Sequence, residues 1–127
     1  MEFEVKTSYK YELINLTDQI QKAVEEAGVK EGAALVFVPH TSAAIITEED
    51  EPGLKEDFYS LFKEFEKRTY RHPDGNAEAH ILAGMIGHSR VIPIKDGKLD
   101  LGTWQSILLV EFDGPRQRRV TVTVLPS

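Results

Sequence analysis

Side chains that favour strands recur at every second position at the start of the chain, and only an extended strand gathers such a pattern onto one face. The intervening positions are mainly charged, and the recurring residues are Phe3, Val5, Thr7, Tyr9, Tyr11 and Leu13. We therefore predict that this segment forms a first strand. A chain that begins in this way has to build a sheet.

Three later segments have helical patterns. Thr17 is placed to cap a first helix, which Gly28 ends. A second helix follows Pro52, and a third, rich in small residues that allow close packing, begins near Asn76 and stops at Gly87. The second helix has apolar residues at spacings of four, three, one and three, which form one broad stripe. This stripe consists of Leu54, Phe58, Leu61, Phe62 and Phe65.

The remaining apolar segments are strand-like, and most of them lie in the second half of the chain. They cover residues 33–38, 43–47, 91–94, 104–112 and 118–125. The last two flank a connection with turn residues at its centre, residues 113–117, so we predict that they pair as a hairpin. The fold class predicted for residues 1–127 is a single α+β domain, a mostly antiparallel, sandwich-like sheet with about three helices.

Composition excludes several classes of function. The 15 basic and 21 acidic residues give a net charge of −6, which argues against nucleic acid as a partner because phosphate-backbone binding needs a broad positive surface. The chain has no cysteine, so a disulfide framework and a thiolate metal site are both excluded. The N-terminal residues do not resemble a signal peptide and no apolar run reaches membrane length, so we expect a cytoplasmic protein with no membrane partner.

Two histidines bracket a dense polar segment, residues 71–80. If Asn76 caps the third helix, His80 falls in its first turn and His72 lies in the loop that enters it. Folding back of that loop would bring both imidazoles to one ion, and the helix N-terminus favours the neutral form of His80. Their spacing matches no fixed metal signature. The alternative is a pair of polar surface or capping histidines.

A third histidine, His40, ends the apolar run 34–38 and is followed by Thr41 and Ser42. This short segment combines an imidazole, two hydroxyl groups and free backbone amides at the end of a strand, a position that often carries functional groups. The alternative is a histidine that caps a bend. The fourth histidine, His88, follows the third helix, where it complements the helix dipole, and we leave it outside the site.

Two acidic residues are candidates for a site. Glu49 is the preferred member of the acidic run 48–51, with Asp57 further along the second helix. The alternative for this run is a solvated turn. Glu111 interrupts an otherwise apolar strand, so it must be exposed, paired or functional. The alternative for Glu111 is an ion pair with Arg116 or Arg118.

Trp104 lies in an unusual polar segment between Gly102 and Gln105. An indole in such a position offers a flat face for a heteroaromatic ring, although a single tryptophan is more often part of a core.

Taken together, these segments resemble the YjbQ-like family. The motifs that carry the resemblance occur in order over nearly the whole chain, and they are His40-Thr41-Ser42-Ala43-Ala44, Glu49-x-Glu51-Pro52 with Asp57, Tyr70-Arg71-His72, Asn76-Ala77-x-Ala79-His80, Gly97-x-Leu99-x-Leu101-Gly102-Thr103-Trp104-Gln105 and Glu111-x-Asp113-Gly114-Pro115-Arg116. The resemblance implies a small cytoplasmic α+β protein, commonly a homotrimer. Members are often described as secondary thiamine-phosphate synthases, which join a pyrimidine pyrophosphate to a thiazole phosphate and release pyrophosphate.

The resemblance implies that the three candidate histidines belong to one site. We expect His40, His72 and His80 to bind a divalent metal, zinc or magnesium, or to form a proton-transfer cluster. The expected catalytic residues are His40, Glu49 and Glu111. A small phosphorylated metabolite would be bound by Thr41, Ser42, Trp104 and Arg116.

Two other classes of function fit the same residues. One is a metal-dependent hydrolase or lyase that acts on a small phosphorylated or carbonyl compound, with the histidines activating water. The other is a trimeric binding protein without catalytic activity, in which the histidines bind a metal or a metabolite.

Overall fold

Eight strands and three α-helices make up the chain, and the computed structural model describes all residues, 1–127. The strands are β1 (Glu2–Lys6), β2 (Glu12–Asn15), β3 (Gly32–Phe37), β4 (Ala43–Glu48), β5 (Ser89–Lys95), β6 (Lys98–Leu99), β7 (Ser106–Glu111) and β8 (Gln117–Pro126). The helices are α1 (Thr17–Ala27), α2 (Pro52–Glu64), which continues into a 3-10 turn (Phe65–Lys67), and α3 (Ala77–Ile86).

The strands form two sheets. The first sheet has five strands in the order β1-β8-β3-β5-β6, and the second has three in the order β2-β7-β4. All of the strand pairs are antiparallel. The predicted α+β class with a mostly antiparallel, sandwich-like arrangement and three helices is therefore confirmed.

The predicted first strand is two strands in different sheets. The chain leaves the first sheet after Lys6, and the backbone N–H groups of Ser8 and Tyr9 donate to the Glu12 side chain, at 2.7 and 3.3 Å, instead of to a neighbouring strand. The period-two pattern continues past this bend because Tyr11 and Leu13 are buried in a core that packs against the second sheet. The expectation of one continuous strand is wrong for this reason.

The predicted hairpin between the last two strands is also wrong. β7 pairs with β2 and β4, whereas β8 pairs with β1 and β3 in the other sheet. The connection at residues 112–116 carries the chain from one sheet to the other. Its turn residues were recognised from the sequence, but a turn does not specify which sheet the next strand joins.

Two apolar cores lie on opposite faces of the second sheet. One core fills the space between the two sheets and includes Ile20 and Val24 of α1, Ile107 and Leu109 of β7. The other lies between the second sheet and the helices α2 and α3, and Phe62 is its member from α2. The predicted stripe of α2 is thus confirmed for Phe58, Phe62 and Phe65, whereas Leu61 is 56% exposed. β7 contributes side chains to both cores.

The helix ends lie close to where the sequence places them, but neither of the two predicted side-chain caps is formed. Gly28 ends α1 in the left-handed conformation, with φ of 68°, as predicted. Thr17, however, does not cap α1: the Asn15 side chain accepts a hydrogen bond from the Thr17 N–H at 2.9 Å, and Thr17 Oγ1 accepts one from the Ile107 N–H at 2.9 Å. The Thr17 hydroxyl therefore attaches α1 to the start of β7.

None of the helices combines the length and the apolar character that a membrane span requires.

Candidate functional site

Glu111 and Arg118 form a buried ion pair at the end of β7. Glu111 is 0% exposed and Arg118 is 3% exposed. Glu111 Oε2 accepts from Arg118 Nε at 2.8 Å and from Thr7 Oγ1 at 2.9 Å. Glu111 Oε1 accepts from Arg118 Nη2 and from the Asp113 N–H. Both carboxylate oxygens are therefore saturated, and the interpretation that pairs Glu111 with Arg118 is confirmed.

Arg118 also connects this ion pair to the segment that follows β3. Its Nη2 group donates to Ser42 Oγ at 2.8 Å and to the Ser42 carbonyl oxygen at 3.2 Å. Ser42 is buried, and its neighbour Thr41 is exposed. The buried Ser42 hydroxyl thus accepts a hydrogen bond from Arg118, whereas Thr41 is exposed to solvent.

His40 lies partly buried beside the first residues of β8. Its Nε2 atom accepts a hydrogen bond from the Arg119 N–H at 2.9 Å, so in the neutral ring the proton is on Nδ1. Burial and then the positive charges of Arg118 and Arg119 lower the pKa of His40 below its ordinary value of 6.5. At neutral pH His40 is therefore an uncharged ring that can donate a hydrogen bond from Nδ1.

We expect His40 to titrate below pH 6.5 in a ring-proton NMR titration. Because the folded protein binds fewer protons here than the unfolded chain, the stability contributed by neutral His40 is complete above pH 6.5 and is lost as the pH falls through the folded pKa. Arg119→Gln should raise the midpoint because it removes a neighbouring positive charge, and Arg68→Gln should leave it unchanged. A midpoint at or above 6.5 in the unmodified chain would contradict this environment.

Asp113 connects the end of β7 to the start of α3. Its Oδ2 atom accepts from Asn76 Nδ2 at 2.9 Å and from Arg116 Nη2 at 3.0 Å, and its carbonyl oxygen accepts from Arg116 Nε at 2.8 Å. Burial raises the pKa of Asp113, but these hydrogen bonds outweigh it and leave the pKa below its ordinary value. The Arg116 side chain stays 52% exposed.

His72 and His80 come together at the start of α3. Their ring centroids are 5.0 Å apart in an edge-to-face arrangement, and His72 Nε2 lies 3.5 Å from Asp74 Oδ2. His40 does not join them, and its Nε2 atom is already an acceptor for the Arg119 N–H. No three histidine or acidic side chains of this chain are arranged to share a metal ion. The expected three-histidine cluster is therefore not formed within one chain.

Glu49 and Trp104 lie at the other end of the second sheet. β4 pairs Ala43 with Glu111 and Glu48 with Ser106, so the two ends are five residues apart, about 17 Å at the usual rise of a strand. Glu49 directly follows Glu48, and Trp104 precedes Ser106 by two residues and is 74% exposed. The expected site residues are thus divided between two ends of one sheet.

A cavity of about 260 Å³ lies beside Arg116. Its lining includes the cations Lys6 and Arg116 and no carboxylate, which favours an anionic ligand. A larger cavity of about 600 Å³ between β2 and α2 contains none of the expected site residues. The smaller cavity is therefore the one that adjoins the network around Glu111.

Sequence reasoning did not assign site roles to Thr7, Asn76 or Arg119. Asn76 was recognised as the N-cap of α3, but its side chain makes no cap bond and instead donates to Asp113. Thr7 lacked any signal because its hydroxyl acts on Glu111, 104 residues away. Arg118 did have a signal: it shares the inward-facing parity of Val120 and Val122 in β8.

The protein is an α+β domain of two sheets, and arginine and histidine side chains line one of its ends. The chain belongs to the YjbQ family, because the family model described as UPF0047 protein YjbQ-like matches residues 1–127. This result confirms the resemblance that the motifs indicated.

Individual relatives match this chain over nearly their full lengths. The UPF0047 protein of Archaeoglobus fulgidus is 44% identical over 98% of this chain and 100% of its own, and the UPF0047 protein YugU of Bacillus subtilis is 37% identical over 96% of each. A YbjQ-like protein of unknown function from Sulfolobus solfataricus has a crystal structure with a TM-score of 0.96 at 45% identity, covering 100% of this chain and 96% of that one. An uncharacterised member from Clostridium acetobutylicum has a TM-score of 0.94 at 42% identity, covering 98% and 99%.

Proposed function

We propose that this chain is an enzyme that binds a small phosphorylated metabolite at its basic end, the surface formed by His40, Thr41, Arg116 and Arg119. The observation that carries the proposal is the buried ion pair of Glu111 and Arg118 beneath this surface. Apolar residues often stabilise an interior as well as a buried ion pair does. We therefore assign this pair the task of positioning the groups around it.

The exposed groups of the basic end suit a phosphate. Arg116 and Arg119 are each 52% exposed in their side chains, and Arg119 has only a weak contact with Glu2 at 3.8 Å. His40 adds an uncharged donor at Nδ1, and Thr41 adds a solvent-facing hydroxyl. Charged donors of this kind bind phosphate oxygens strongly.

The proposed reaction joins a pyrimidine pyrophosphate to a thiazole phosphate with loss of pyrophosphate, as the family resemblance implies. The bond to the pyrophosphate breaks with its electron pair leaving on oxygen, so negative charge develops on the departing group. Arg116 and Arg119 would offset this charge, and His40 would donate a hydrogen bond to the same group. In this proposal Glu111 and Ser42 act through Arg118 as positioning residues, and a homotrimer is the working form.

A metal is not part of these steps. The two imidazoles of His72 and His80 do not by themselves make a divalent metal site, and His40 has its Nε2 atom occupied by the Arg119 N–H. A bound zinc or magnesium ion would need ligands beyond those that one chain brings together. Metal analysis of untagged protein tests this point: one zinc per chain that is lost in His80→Ala would establish a metal site at α3.

Turnover with both precursors tests the proposed reaction. We expect Arg116→Gln to lower kcat/KM about 10- to 100-fold, because a hydrogen bond from a charged group contributes about 1.5–3 kcal/mol. His40→Gln should also lower kcat/KM. Lys95→Gln is the matched control, since it removes an exposed positive charge from β5, away from the site.

Two results would contradict parts of the proposal. Unchanged product formation in Arg116→Gln and His40→Gln would place the site elsewhere. No product from the unmodified chain would exclude the synthase reaction, and calorimetric titration with each precursor would then show whether the basic end binds phosphorylated compounds at all.

A further inference from the structure

One chain divides the expected site between two distant ends. The basic end carries His40, Arg116 and Arg119, and the acidic end, defined by Glu48, Glu49 and Trp104, lies five residues away along β7, about 17 Å. A group bound at one end therefore lies about 17 Å from the side chains at the other end of the same chain. The inference drawn from this division rests on the proposed function.

The basic end lacks an available carboxylate beside His40. The charged groups that face His40 are those of Arg118, Arg119, Glu111 and Arg116. Glu111 is the only acid among them, and its two oxygens accept four hydrogen bonds in a fully buried position. The other acids at this end are next to its arginines: Asp113 Oδ2 lies 3.0 Å from Arg116 Nη2, and Glu2 Oε2 lies 3.8 Å from Arg119 Nη1. The basic end therefore has anion-binding groups and a neutral imidazole, and the acid beside His40 is buried.

The acidic end has the complementary groups. Glu48 and Glu49 take part in no ion pair, while the nearby cation Lys55 is bound to Asp50. Trp104 exposes 74% of its surface, and a large aromatic side chain so exposed gains by burial against a partner. The segment of Trp104 is ordered by Gln105, whose Oε1 atom accepts from the Gly102 N–H at 2.8 Å. The indole is thus presented by a defined loop.

We propose that the site is completed between two copies of this chain, with Trp104 and Glu49 of one copy docked against the basic end of the next. The opposite charges of the two ends favour this head-to-tail contact over a contact between like ends. A head-to-tail contact uses two different surfaces of each chain, so it closes into a ring when the rotation between copies allows. Trp104 then supplies the ring-stacking face, and Glu49 supplies a carboxylate that forms no ion pair within its own chain.

Intrinsic fluorescence tests the contact without any assay of activity, because Trp104 is the only tryptophan in the chain. The intact protein is diluted from a concentration at which light scattering shows an oligomer. We expect blue-shifted emission and several-fold weaker acrylamide quenching in the oligomer than in the diluted monomer. Glu49→Lys should shift dissociation to at least tenfold higher concentration, whereas Glu26→Lys, an exposed change on α1, should not. An oligomer in which Trp104 is quenched like free indole would overturn the proposal, as would a monomer at all concentrations.

Mixing two variants tests whether the contact forms the site. His40→Ala and Trp104→Ala are each expected to be inactive, and the mixed, reassociated chains should recover roughly a quarter of the unmodified rate, the chance that an intact His40 meets an intact Trp104. No recovery, with the unmodified chain active, would overturn the shared site. If the unmodified chain has no synthase activity, the proposed reaction fails, and the fluorescence result alone decides whether Trp104 is buried against a second copy.

Discussion

Arg118→Met is expected to lower the free energy of unfolding by about 3–5 kcal/mol, because it leaves the Glu111 carboxylate buried without its charged partner. The substitution also removes the donor to Ser42. Urea unfolding measures the effect as a lower midpoint with an unchanged slope. Adding Glu111→Leu to Arg118→Met should recover part of the loss, since no unpaired charge then remains in the interior.

The matched control for Arg118→Met is Arg119→Met, one residue further along β8. Arg119 is exposed, and its contact with Glu2 spans 3.8 Å between two half-exposed side chains. Such a surface pair contributes little, so the change should stay within about 0.5 kcal/mol. Equal effects of the two substitutions would show that Glu111 does not depend on Arg118.

Gly114→Ala is expected to be the second strongly destabilising change, with a loss of about 3 kcal/mol or more. A methyl group at this position would lie 2.8 Å from Thr7 Oγ1 and 3.0 Å from Glu111 Cγ, and closer still to the Tyr9 carbonyl oxygen. The last of these is a backbone atom and cannot turn away. The variant should therefore disturb the network around Glu111 and lower both the unfolding midpoint and the turnover proposed for this site.

Gly84→Ala provides the opposite case on the same chain. This glycine lies within α3, and an added methyl group would meet no atom within 4 Å. Alanine is the better helix former, so the free energy of unfolding should rise by about 0.5–1 kcal/mol. A loss in Gly84→Ala, or no loss in Gly114→Ala, would contradict the packing described for these two positions.

The helices were predictable from the sequence because their signals are local. The apolar stripe of α2 identified Phe62 as a packing residue. Gly28 marked the end of α1 because glycine adopts the left-handed conformation more readily than other residues. Strand pairing depends on residues far apart in the chain, and alternation does not reveal the partner. The sequence therefore predicted strands near β7 and β8 but paired them wrongly.

The site was predictable only in part, for the same reason. Glu111 stood out as an acid in an apolar strand, and the inward parity of Arg118 with Val120 was readable from the sequence as well. The separation of Trp104 and Glu49 from His40 depends on the register between β4 and β7. No local pattern in the sequence contains that register. The motifs therefore predict one site for these residues, although a single folded chain places them at opposite ends of the second sheet.

β7 has neighbours on every side: β2 and β4 are bonded to its two edges, and a core packs against each of its two faces. No local opening can expose its amide groups without separating both layers. The amide hydrogens of Ile107, Leu108, Leu109 and Val110 should therefore exchange with deuterium only when the whole domain unfolds. We therefore expect the ion pair of Glu111 to lie on the slowest-exchanging strand of the molecule, with little thermal motion at its position.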